Sequence, residues 1–195
     1  IGRIYEGTNE INRMVSVGML LKKAAKGHLD LMTQVMKIVE KIKSNKFDEV
    51  YHDSKFAQEE FLIKKIKDIF LLLTGMAFQK FGADLEKNQI TLLALSDILI
   101  YSYFTESALL RTKKNHDRNN KNYTETHKHM TQLFLYNSLG KVNEKAKEII
   151  ISISDEKEKI GLLKSIEKMT RYQNYPNIVE LKTKIADAII EENEY

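Results

Sequence analysis

The chain contains no cysteine. That excludes disulfides, thiolate metal sites and cysteine nucleophiles, and it suits a reducing cytoplasm. It also has no tryptophan, one proline and eight glycines among 195 residues, too little punctuation for a many-stranded sandwich or barrel. No apolar run approaches the roughly 18 residues that a membrane helix needs. The strongest, Ile69-Phe70-Leu71-Leu72-Leu73, is cut off by Thr74 and Gly75, so no span is expected. The start has no charged segment leading into an apolar one and does not read as a secretory signal. An excess of one charge is lacking too: 31 basic side chains stand against 27 acidic ones, a net +4. Nothing in that balance points to a nucleic-acid partner.

What is there favours helix. Hydrophobic residues make up 43% and charged ones 30%, with Leu, Ile, Lys and Glu dominant. A chain of this length can bury about 70% of its extended surface, so a real core is expected. Apolar residues recur at helical spacing. Ile11, Met14, Val15, Val17, Leu20 and Leu21 follow a Thr8 or Asn9 cap, and Gly27 ends that helix. Leu31, Met32, Val35, Met36, Val39 and Ile42 mark a second. A third starts near a Ser54 cap and stops at Gly82, with Phe61, Ile66, Ile69, Phe70, Leu73, Met76 and Ala77 on its apolar face. A fourth spans residues 88–112 through Leu92, Leu95, Leu99, Tyr103 and Leu110. A fifth begins at Thr124, with Met130, Phe134, Ser138 and Val142, and reaches Ile151. Acidic residues after Ser154 suit a further helix start, with Ile160, Leu163, Ile166 and Met169 beyond. Pro176-Asn177 breaks the chain before Ile178, Leu181, Ile185 and Ile189. No internal repeat is present. The expected fold is all-α, a helical bundle of about six or seven helices, up-and-down in its longer members.

Several features have plain readings. The polar, Asn-rich stretch from Lys113 to Asn122 reads as a solvated loop, since it lacks the aromatic interleaving of a strand-binding surface. His127 and His129 would point roughly 200° apart on a helix and cannot share a metal; no metal site is expected. Tyr101, Tyr103 and Phe104 suit a core or a partner interface, with core packing favoured over cofactor stacking. Lys64, Lys65 and Lys67 beside an apolar run suit the solvated face of a bundle helix. A membrane-surface helix is the less favoured reading.

The chemistry concentrates at the front of the chain, in Arg3-Ile4-Tyr5-Glu6-Gly7-Thr8-Asn9-Glu10-Ile11-Asn12-Arg13. A carboxylate such as Glu6 can remove a weakly acidic proton if it is held over the reacting carbon. Gly7, lacking a Cβ, lets a bound group approach the backbone closely. Its N–H could steady a developing enolate oxygen. Thr8 and Asn9 place small polar groups where a helix N-terminus would face an anionic cofactor group. On pattern alone, simple capping chemistry accounts for all of this.

That segment resembles the Arg-Ile-Tyr-Glu-Gly-Thr-Asn-Glu-Ile segment that acyl-CoA dehydrogenases carry late in their chains. Phe81-Gly82-Ala83-Asp84-Leu85, Gln89-Ile90 and the Leu-rich stretch 92–100 resemble the extra C-terminal helical domain of the very-long-chain branch. The tail from Lys184 to Asn193 resembles the end of bacterial proteins of that sort.

The resemblance implies a chain that is the C-terminal part of a longer flavoenzyme, beginning just upstream of its base. Glu6 would be the catalytic base, Gly7 the residue beside the substrate thioester, and Thr8, Asn9 and Glu10 the FAD contacts. Residues 1–46 would be a remnant of the flavin-side helical domain and residues 47–195 the additional helical domain. A fatty acyl-CoA substrate in β-oxidation, FAD, a homodimer, an electron-transfer flavoprotein as acceptor and a bacterial cytoplasmic location are implied with it. The chain by itself, without the flavin-walling β-domain, is expected to be inactive and to retain no FAD. The alternative is a stand-alone helical interaction domain without catalysis.

Overall fold

The computed structural model describes residues 3–44, 55–117 and 121–191. They form seven α-helices and one 3-10 turn, with no strand among the described residues. The helices are α1 (Asn9–Ala25), α2 (Leu31–Lys43), α3 (Ala57–Phe81), α4 (Gln89–Asp117), α5 (Lys121–Ile153), α6 (Glu156–Met169) and α7 (Ile178–Glu191), with the 3-10 turn Gly82–Lys87 joining α3 to α4. The all-α bundle expected from composition is what forms.

Local chemistry sets the helix starts. The Thr8 hydroxyl accepts from the Ile11 N–H at 3.3 Å, Asp30 from Thr33 at 3.3 Å, Asn88 from Thr91 at 3.2 Å and Asn177 from Glu180 at 3.2 Å. Each such cap is worth about 1 kcal/mol. α3 starts after Phe56 with no side-chain cap. The Ser54 cap and the boundary between residues 46 and 47 lie outside the described residues.

α3, α4 and α5 run up and down, and the polar pairs between them give the register. Glu60 pairs with Lys113 and Lys67 with Glu106 at 2.5 Å, so α4 descends as α3 climbs. The buried hydroxyls of Thr112 and Thr131 meet at 2.7 Å, and Thr131 donates to the Ala108 carbonyl at 3.5 Å, which turns α5 back along α4. Between these helices lie Leu62, Ile66, Ile69 and Leu73 of α3, Leu95 and Ile98 of α4, and Leu135, Ile149 and Ile150 of α5, all essentially buried. Each contributes on the order of 1.5–3 kcal/mol by leaving water. Ile166 of α6 and Val17 of α1 reach 0% exposure in the same core. Val17 and Ile38 therefore join α1 and α2 to the core of the longer helices.

Three expectations need correction. Residues 113–117 are helical rather than loop, since α4 continues to Asp117; α5 starts at Lys121, and residues 118–120 lie outside the described residues. Tertiary contacts override the poor helix propensity of Asn and Asp there. Lys113 pairs with Glu60, and the His116 ring sits edge-on to Phe56 at 6.0 Å. Tyr103 and Phe104 are not core residues. They are 66% and 53% exposed and meet each other edge-to-face at 5.6 Å, because Ser102 and Thr105 occupy the inward side of that turn. Lys65 is buried rather than solvated, its ammonium lying 4.8 Å from the Phe61 ring centre. α4 also proves long and apolar enough to cross a membrane by length and composition. Here it is a core helix, flanked by α1, α3 and α5.

Candidate functional site

Residues 3–8 form a tight loop that leads into α1. The Asn9 N–H donates to the Arg3 carbonyl at 3.0 Å, closing the loop, and Asn12 N–H donates to the Thr8 carbonyl at 3.0 Å. The Asn12 side-chain amide donates to the Gly7 carbonyl at 3.1 Å. Glu6 has φ +57° and Gly7 φ +100°. The left-handed region costs a non-glycine residue on the order of 1 kcal/mol, so the turn holds Glu6 in a conformation its own preference disfavours. A Cβ on Gly7 would lie 3.0 Å from the Asn12 amide oxygen, which leaves Gly as the residue that fits.

The five residues singled out from the sequence share one short surface. Glu6, Gly7, Asn9 and Glu10 are exposed and Thr8 is half-buried by its capping role. Ile4 and Tyr5 beside them are 74% and 70% exposed. Glu6 is exposed, so the loop offers a carboxylate beside a helix start on an open side. No group of three His, Asp or Glu side chains that could hold a metal occurs among the described residues.

Sequence reasoning missed how this loop is held. Arg13, one turn into α1, is fixed at both ends by α4. Its guanidinium Nη2 lies 2.5 Å from Asp97 Oδ1 and donates to the Leu93 carbonyl at 3.4 Å. Its backbone carbonyl accepts from the Ser16 hydroxyl at 2.7 Å and from the buried Ser96 hydroxyl. The available signal was a Ser-Asp pair inside the Leu-rich stretch 92–100, a polar interruption of a core helix that demands a partner.

A second feature is an unpartnered apolar surface. Ile11, Val15 and Met19, spaced four apart on α1, are 49%, 49% and 56% exposed. Met32 and Met36 of α2 edge a groove of about 950 Å³ against Leu72, Gly75 and Met76 of α3.

The family model described as acyl-CoA dehydrogenase, C-terminal domain, matches residues 65–168, more than half of the chain. The chain belongs to that family. A probable acyl-CoA dehydrogenase of Bacillus subtilis (strain 168) is 31% identical over 195 residues, covering 100% of this chain and 32% of the relative. The crystal structure of an acyl-CoA dehydrogenase complexed with FAD from Bacillus anthracis superposes with a TM-score of 0.92 at 33% identity, over 99% of this chain and 32% of that one. The chain thus spans about a third of the length of the relatives it matches.

Proposed function

We propose that this chain is the C-terminal helical region of an FAD-dependent acyl-CoA dehydrogenase, in which Glu6 takes the α-proton of a fatty acyl-CoA as the 2,3-double bond forms. The observation that carries the reading is the Glu6–Gly7 turn. It presents an exposed carboxylate from a left-handed residue, pinned at the start of α1, in a chain of this family. A base on a strained, cross-braced turn is a base kept from relaxing away from its target.

The residues present fit one wall of a flavin site. The Asn12 side chain takes up the space beside the Gly7 Cα, while the exposed Gly7 backbone and the start of α1 leave a face that a planar or anionic group can approach. Thr8, Asn9 and Glu10 would hold FAD there, and FAD when bound supplies the acceptor for the hydride from the β-carbon. Glu6 would accept the α-proton on its carboxylate, and the Gly7 backbone would lie beside the thioester carbonyl. The remaining walls, and the exclusion of water that tunes such a base, fall to the two-thirds of the protein that the relatives carry beyond this region.

Residues 1–46 would then belong to the flavin-side helical domain. The stripe Ile11, Val15, Met19 would be the surface it turns to the rest of the enzyme. Residues 47–195 would be the additional domain, supporting packing and a homodimer. A fatty acyl-CoA in β-oxidation, an electron-transfer flavoprotein as acceptor and a cytoplasmic location complete the reading. The test is Glu6→Gln in the full-length enzyme. Turnover should fall by about 10²–10⁴-fold, the usual contribution of a general base, with bound flavin retained. Full turnover in that variant would remove Glu6 from the role.

A further inference from the structure

The loop that carries Glu6 leads into the first turns of α1, and the polar grip of α4 on those turns centres on Arg13, beside a Ser16–Ser96 hydroxyl contact at 3.2 Å. Arg13 is held by its guanidinium, through Asp97 at 2.5 Å and the Leu93 carbonyl at 3.4 Å, and by its backbone carbonyl, through Ser96. These anchors all lie on one turn of α4. The Arg13–Asp97 pair is largely sheltered, with side-chain exposures of 26% and 21%, so water screens it less than a surface pair. The neighbour on the loop side is Asn12, whose amide holds the Gly7 carbonyl at 3.1 Å. A continuous line of contacts thus runs from α4 through Arg13 and Asn12 to the Glu6–Gly7 turn.

We propose that Asp97 and Ser96 are positioning residues for the dehydrogenation step: acting through Arg13, they fix the height and rotation of α1 and so the placement of the Glu6 carboxylate. This rests on the reading of Glu6 as the base. A helix that lost this grip would still be held by Val17 and Leu20 against the core, but apolar contacts tolerate sliding and rotation that a directional, charge-assisted fork does not. The chemical step depends steeply on such placement, about 10²-fold for a 1 Å error.

The test uses the full-length enzyme with Asp97→Asn, which removes the charge and keeps the shape. Turnover per bound flavin is expected to fall by about 10- to 100-fold, with KM for acyl-CoA nearly unchanged. The kinetic isotope effect on an α-deuterated substrate should rise, because proton removal becomes the slow step. Amide exchange should quicken in residues 3–16 and little elsewhere. Asp97→Glu, which restores the charge, should recover most of the loss.

A merely structural role would lower the melting temperature and flavin content while leaving turnover per flavin and the isotope effect alone; that result overturns the proposal, as does a variant indistinguishable from the parent. If Asp97→Asn does not accumulate as folded protein, Ser96→Ala gives the same reading through the Arg13 carbonyl. An active Glu6→Gln enzyme defeats the reading of the base itself. An inactive Glu6→Gln with a normal Asp97→Asn defeats only the positioning role.

Discussion

Gly75 lies where α3 comes closest to α2, and adding a single methyl there sets two known effects against each other. An ideal Cβ on Gly75 would sit 2.4 Å from Val35 Cγ1, 3.1 Å from Cγ2 and 3.3 Å from Cβ. Val is stiff about χ1, and its own Cβ is already too near, so no side-chain rotation clears the clash. The helices must separate. In a helix interior Gly→Ala gains roughly 1 kcal/mol, whereas overpacking costs about 1–3 kcal/mol. Gly140 in α5 is the internal control: it is exposed, and a Cβ there meets nothing within 4 Å. Gly140→Ala should therefore stabilise, and Gly75→Ala should fall about 1–3 kcal/mol below it. For a chain of this size each kcal/mol moves Tm by about 2–4 °C, a gap calorimetry resolves. The cost has a ceiling. α2 is held chiefly by buried Ile38 with half-buried Val39 and Ile42, so crowding beyond that docking energy detaches α2 instead. In that case amide exchange in residues 31–43 accelerates while the main transition stays put. Equal melting temperatures together with equal exchange in α2 for the two variants would refute the close approach of α2 and α3.

Three further outcomes are expected. The isolated chain, titrated with FAD and desalted, should keep no flavin absorbance, since Glu6 to Glu10 form one open wall; retained flavin would show a complete site. The isolated chain should self-associate through the apolar stripe of α1 and the methionine edge of α2, each about half exposed or more. Met19→Glu with Met36→Glu should then restore a monomer by light scattering, and a parent chain already monomeric would count against a sticky face. Burial, followed by the Lys184 ammonium, holds the His129 imidazole below its ordinary 6.5. The unfolded chain then takes up its proton at a higher pH than the folded one, so stability drains away as pH falls below 6.5 towards the folded value. His129→Gln should flatten the decline of Tm between about pH 7.5 and 5.5, and an unchanged slope would rule the imidazole out as its source.

The bundle was legible because apolar residues recur at helical spacing between local boundary signals: Thr8 and Gly27 around α1, and Asn88, Pro176 and Asn177 at later starts. Sequence reading failed where a contact distant in sequence outweighs local preference. Lys113 and Asn115 look like loop residues until Glu60 supplies the partner that keeps α4 helical to Asp117. Lys65 looks solvated until the packing of α3 into the bundle buries it. The candidate site divides the same way. Glu6 and Gly7 could be read from a contiguous motif, since the turn that shapes them is closed by hydrogen bonds no more than six residues apart. Their anchor could not, because Arg13 and Asp97 lie 84 positions apart on different helices, and neither is unusual alone. That division has a functional consequence. A motif closed by local bonds can keep its shape in any context, but its aim is set by whatever grips α1. Here that grip comes from α4, well outside the motif. Two chains with the same opening residues can therefore differ in how well Glu6 is placed, according to what stands at Ser96 and Asp97.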